Sequence, residues 1–170
     1  MTPDITPTVT PNGTRSASRD FDFLIGRWTV QHRRLLRRLA GCTEWQSFAG
    51  TCEAVSILGG DGNVDDNLIA LPEGSYRAAT LRSFDRSKQQ WSIWWLDTRH
   101  AGALDTPMRG AFVEGQGLFL ADDHFEGRPI RVRFLWTRVN TPQPRWEQAF
   151  SADGGITWED NWTMDFTRCT

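Results

Sequence analysis

The chain has little of what most catalytic and metal-binding motifs require. It holds three histidines in 170 residues, His32, His100 and His124, and none has a second histidine two or four positions on. No H-E-x-x-H signature occurs, so a metal site would have to assemble from distant strands. A serine nucleophile elbow, a phosphate loop and a dinucleotide fingerprint are all missing, and neither a metal nor a cofactor is expected. Cysteine is scarce too: Cys42, Cys52 and Cys169 form no C-x-x-C pair and leave an odd one out. The first twenty residues are rich in Thr and Pro and lack the apolar core of a secretory signal. No apolar run approaches a membrane-spanning length, so a cytoplasmic, reduced protein with no membrane partner is expected. Nor is there a charge excess. Lys+Arg 19 against Asp+Glu 21 gives a net charge of −2, which provides no global field for nucleic acid.

Aromatic residues are what the chain has in quantity, with nine tryptophans and ten phenylalanines. Such side chains suit a core, or a sheet closed around a planar or apolar ligand. The length fits one domain, with residues 1–19 expected to be a disordered tail and 20–170 the folded unit.

One stretch organises the rest. Ser151-Ala152-Asp153-Gly154-Gly155-Ile156-Thr157-Trp158 fits the Asp-box pattern Ser-x-Asp-x-Gly-x-Thr-Trp at every specified position. Asp153 can accept from backbone N–H groups ahead of it, the two glycines supply positive φ, and Trp158 can pack over the turn. The pattern resembles the Asp-boxes of sialidase propellers, which repeat blade after blade, but occurs here once. It is expected to staple a hairpin and fix its register.

Upstream, a short helical turn fits Phe21 to Ile25, capped by Asp20, and Gly26 lets the chain bend into a strand. Gln31 to Ala40 reads either as a continuation of that strand or as a helix; the extended start at Trp28 and the turn at Gly41 favour the strand. Its arginines, Arg33, Arg34, Arg37 and Arg38, read as a solvated outer face. Glu44 to Leu58 follows as a second strand. Further strands are expected near 64–70, 76–84, 90–98, 108–114, 117–125, 129–139, 144–151 and 157–167. Asp61, Asn63 and Asp65 echo a calcium loop, but Asp66 and Pro72 stand where that loop needs Gly and Glu, so they read as a loop rim. With no helix of usual length, the fold class is all-β: a single antiparallel up-and-down barrel of about ten strands with a short N-terminal helical turn.

Alternation then assigns faces. Trp158, Trp162, Met164, Phe166 and Arg168 share one side of the last strand, with Asn161 and Thr163 on the other. Trp146, Gln148 and Phe150, and Ile130, Val132, Phe134 and Trp136, are inward on the two strands before. The first strand sets Trp28, Val30 and His32 inward. Arg82 shares a parity with Tyr76, Ala78, Thr80 and Phe84, where it would meet a ligand carboxylate or else stay outside. The strand Trp91–Asp97 is apolar on both parities, which suggests a loop or a second copy over its outer face through Trp94 and Trp95. The candidate ligand-binding residues are thus His32, Arg82, Trp95, Trp136, Trp146, Gln148 and Trp162.

The segments FDFLIGRW, WSIWWLD and RWEQAFSADGGITWEDNW resemble a bacterial family of lipocalin-like (calycin) proteins of unknown function, over roughly residues 20–168. The resemblance implies a lipocalin-like barrel of eight to ten strands with a ligand-sized interior, and brings no catalytic residues. It also matches Gly26-Arg27-Trp28 to the Gly-x-Trp opening such barrels, with Trp28 plugging one end under Arg168. The chain differs from secreted lipocalins in lacking a signal peptide and an obvious disulfide. It differs from haem-binding barrels in lacking a haem-ligand motif. The leading expectation is a barrel that binds a small apolar or aromatic molecule. A small barrel enzyme acting on such a molecule, using His32, Gln148 and Arg82, comes second; a homodimerising interaction module comes third.

Overall fold

Residues that alternate in polarity between turn signals form ten strands in the computed structural model, which describes residues 17–170. They are β1 (Gly26–Leu35), β2 (Trp45–Ile57), β3 (Gly62–Ile69), β4 (Tyr76–Asp85), β5 (Gln90–Asp97), β6 (Met108–Val113), β7 (Gln116–Phe125), β8 (Arg128–Thr137), β9 (Arg145–Ser151) and β10 (Glu159–Arg168). Each pairs antiparallel with its sequence neighbours, and β1 also pairs with β10, so the sheet closes into a barrel without edges. The Gln31 to Ala40 stretch is strand as far as Leu35. It then turns back through Leu39, which takes a positive φ of 53°.

Most of the expected disordered tail, residues 1–16, lies outside the described residues. The fold nevertheless begins before residue 20: Ala17–Arg19 form a 3-10 turn, with the Ala17 carbonyl accepting from Trp91 Nε1 at 3.2 Å. A second 3-10 turn, Asp22–Leu24, has Phe21 at its N-cap position, one residue beyond the expected Asp20.

These turns close one end of the barrel. Trp28 Nε1 donates to the Leu24 carbonyl at 2.7 Å, and the Arg168 guanidinium lies 4.1 Å from the Trp28 ring centre. The same guanidinium donates to the carbonyls of Ile25 and Phe23, each at 2.9 Å. One cation thus ties the last strand to the first and satisfies carbonyls that the 3-10 turn leaves free. Gly26 makes the approach workable: its φ is 122°, and a Cβ there would sit 2.5 Å from Arg168 Nη1. Behind this plug, Phe21 meets Trp91 and Phe112 edge-on at 5.0 and 4.9 Å.

Two face assignments need correction. On β10 the pairing with β9 slips between Asp160 and Trp162. This bulge flips the alternation, so Trp158 lies outside under the Arg133 guanidinium, while Asn161 is wholly buried. On β3 the strand starts at Gly62, earlier than expected, and its inward row is Asn63, Asp65 and Asn67, all buried instead of rimming a loop. Asp61 pairs with Arg86 at 2.6 Å. On β5, Trp95 points into the barrel; Trp94 and the exposed Leu96 form the outer face.

Candidate functional site

The end opposite the plug is open. It holds a cavity of about 310 Å³, walled by Ile93 and Trp95 of β5, Met108 of β6, Ile130, Val132 and Phe134 of β8, Trp146, Gln148 and Phe150 of β9, and Trp162 of β10. Three indoles dominate. Trp162 meets Trp95 at 5.9 Å and Trp146 at 5.6 Å, both edge-on, and Phe134 meets Trp146 at 4.8 Å.

Polar neighbours fix two of these indoles. Trp162 Nε1 donates to His32 Nδ1 at 3.1 Å, so the neutral imidazole carries its proton on Nε2. His32 stacks on Phe48 at 4.8 Å, and burial, with Arg34 adding to it, pulls its pKa down to about 4. Room for the ring comes from Gly50, where a Cβ would lie 2.6 Å from His32 Nε2. Trp95 Nε1 donates to Asp97 Oδ2 at 3.1 Å, and Arg99 grips the same carboxylate at 2.7 Å. Burial pushes the Asp97 carboxyl upward, but the hydrogen bonds from Arg99 and Trp95 outweigh it and hold the group well below the usual carboxylate range. Gln148 Nε2 donates to Asn161 Oδ1 at 2.8 Å, leaving the Gln148 Oε1 without a partner among the described residues.

Of the residues expected to touch a ligand, Trp95, Trp146, Gln148 and Trp162 line this cavity. His32 does not; it stands behind Trp162. Arg82 is inward, as one parity allowed, but lies deeper. Its Nη1 donates to Asp65 at 2.6 Å and to Asn63 at 2.9 Å, and its guanidinium sits 5.1 Å from the Phe21 ring centre. Asp65 also accepts from Asn67 and from the Thr80 N–H, which compensates the buried carboxylate, while Arg82 Nε is buried without a hydrogen-bond partner among the described residues. Trp136 is deeper too, against Phe23 and Phe166. Arg82 and Trp136 border a separate void of about 30 Å³.

The mouth is where the expected outer face of arginines fails. Arg33 and Arg37 are exposed, but Arg34 and Arg38 line the cavity. Arg34 continues the inward parity of Trp28, Val30 and His32 and lies 5.6 Å from the Trp162 ring centre. Extending the alternation by one more step would have found it. Arg38 is brought back by the turn after β1 and lies 5.8 Å from the Phe150 ring centre. Asp105, Thr106, Asp123, His100 and His124 complete the rim.

The described residues contain no group of three or more His, Cys, Asp or Glu side chains placed to hold a metal ion. No helix among them is long and apolar enough to cross a membrane. The fold and cavity define a class: a closed ten-stranded antiparallel barrel, plugged at one end and open to an aromatic-lined chamber at the other. Compared with protein-family models and with curated proteins, the chain matches none.

Proposed function

We propose that this barrel binds a small apolar or aromatic molecule in the chamber at its open end. The observation that carries the reading is the chamber of about 310 Å³ walled by Trp95, Trp146 and Trp162. That volume falls at the lower end of the roughly 300–1,000 Å³ typical of small-molecule sites, which suits a body of one or two rings. Two of the indoles are held by hydrogen bonds to His32 and Asp97, so the wall is set before a ligand arrives. The side chains on which a barrel-enzyme reading rests are engaged with protein partners: His32 with Trp162, Arg82 with Asp65, and Gln148 with Asn161.

Native mass spectrometry of protein purified from its own host tests the proposal. A co-purified organic species that leaves on denaturation, and whose rebinding quenches tryptophan fluorescence, is the expected result. Bare chain, with no quenching by a panel of one- and two-ring compounds, would sink it.

A further inference from the structure

Many arginines at the barrel's outer surface pair with a carboxylate, as Arg86 does with Asp61, Arg77 with Asp66 and Arg145 with Glu147, while the exposed Arg33, Arg109 and Arg128 are left to solvent. At the mouth, Arg99 pairs with Asp97. Arg34 and Arg38 fit neither pattern. Both are half-buried, both border the chamber, and among the described residues neither guanidinium makes a hydrogen bond or an ion pair. What they touch is aromatic: Arg34 lies over Trp162, and Arg38 over Phe125 and Phe150.

The backbone goes to some trouble to put Arg38 there. Leu39, next to it, adopts a positive φ of 53°, uncommon for a side chain of its size. The turn is fastened by the Leu39 N–H donating to Glu159 at 2.7 Å and the Leu36 N–H donating to the Glu44 carbonyl at 2.9 Å. Tyr76 and Glu159 are the acidic groups acting on Arg38, and Glu159 Oε1 already accepts the Leu39 N–H. Burial and the neighbouring Arg34 draw the Arg38 pKa down to about 10, so the guanidinium is still charged at neutral pH.

Resting on the chamber reading above, we infer that the ligand carries an anionic group, a carboxylate, which sits between Arg34 and Arg38 while its aromatic or apolar body lies among Trp95, Trp146 and Trp162. Planar guanidinium forks suit a carboxylate, and partial burial strengthens such a bond. The rim also bears Asp105 and Asp123, which would favour an amine. Asp123 already accepts from the His124 N–H at 2.8 Å. Asp105 has its pKa raised, first by burial and then by Asp123 and Asp97. His100 lies 3.6 Å from the Asp97 carboxylate, so that acid faces a second basic group beside Arg99.

The test is a matched series titrated into the full chain by tryptophan fluorescence: 2-naphthoate, 2-naphthylmethanol and 2-naphthylmethylamine. The carboxylate should bind about tenfold or more tighter than the alcohol, and the amine more weakly than either. Arg38→Gln and Arg34→Gln should each lower the ratio of naphthoate to alcohol affinity, and a circular dichroism spectrum matching that of the native chain checks that each variant is folded. Raised salt should weaken naphthoate alone. If alcohol and carboxylate bind equally well, or the amine binds best, the anion site is refuted and the chamber reading stands. If none of the three binds, both fall.

Discussion

An imidazole nitrogen that accepts a hydrogen bond cannot carry a proton at the same time. His32 Nδ1 accepts from Trp162, and the ring has a pKa of about 4 against 6.5 for the free side chain. A depressed histidine pKa means that the unfolded chain takes up the proton first. The stabilising contribution is therefore complete above pH 6.5 and is lost as pH falls from there towards about 4. Its size is at most roughly 3 kcal/mol. Urea denaturation at pH 7.5 and pH 4.5 should show a drop in midpoint for the native chain. His32→Asn, which cannot titrate, should flatten that difference; an undiminished pH dependence in the variant would locate the sensitivity elsewhere. At the closed end, Arg168→Ala removes two carbonyl hydrogen bonds and the stacking on Trp28, and should cost about 1–2 kcal/mol, with Arg168→Lys recovering only part. Gly26→Ala should cost about 1–3 kcal/mol through its backbone strain. It should cost less in the Arg168→Ala background, where the guanidinium is no longer in the way, and a double-mutant cycle in urea measures that coupling.

Among the elements, the β9–β10 hairpin shows how far alternation can be followed and where it stops. The Asp-box forms as the pattern requires: Asp153 accepts from the N–H groups of Ile156 and Thr157, and Ser151 Oγ accepts from the Gly155 N–H. Hydrogen bonds from Thr157 first, then Ser151 and Ile156, hold the Asp153 carboxyl well below its ordinary range. Asp153→Ala should lower the denaturation midpoint while leaving probe affinity in the folded fraction unchanged, because the turn does not line the chamber. A loss of affinity at unchanged stability would contradict that placement. Beyond the turn, the slip between Asp160 and Trp162 was invisible in the sequence. A bulge leaves no fixed residue signature, so Trp158 and Asn161 were assigned to each other's faces, and the Gln148–Asn161 bond could not be foreseen. The polar row of β3 was missed for a different reason. Asn63 and Asp65 look like rim residues until Arg82, on the neighbouring strand, supplies the buried counter-charge.

At the scale of the whole molecule, the period-two pattern and the turn clusters made the strand count and the closed all-β architecture legible, because both are local signals summed along the chain. The chamber was legible in part. Aromatic inward positions follow from parity, as with Trp95, Trp146 and Trp162. Arg38 does not, because its place depends on a turn that folds back over the mouth. Nor does the division of the interior into an open chamber and a buried Arg82–Asp65 layer, which depends on how far each strand reaches along the barrel axis.

The clasp between β1 and β10 has a bearing on how the chain is made. Arg168 and Ile25 are 143 residues apart in sequence, yet hydrogen-bonded. As the polypeptide emerges, β1 can find β2 at once, but its other side has no partner until the last strand is out. Through nearly the whole of synthesis the growing sheet therefore has two bare edges, of the kind that invites pairing between chains. Closure is a single late event, and contacts of such long separation are slow to form. Chains stopped before β10 should accumulate as aggregates instead of soluble partial barrels, and in pulse-labelled refolding the amides of β1 that face β10 should gain protection together with those of β10, after the hairpins in between.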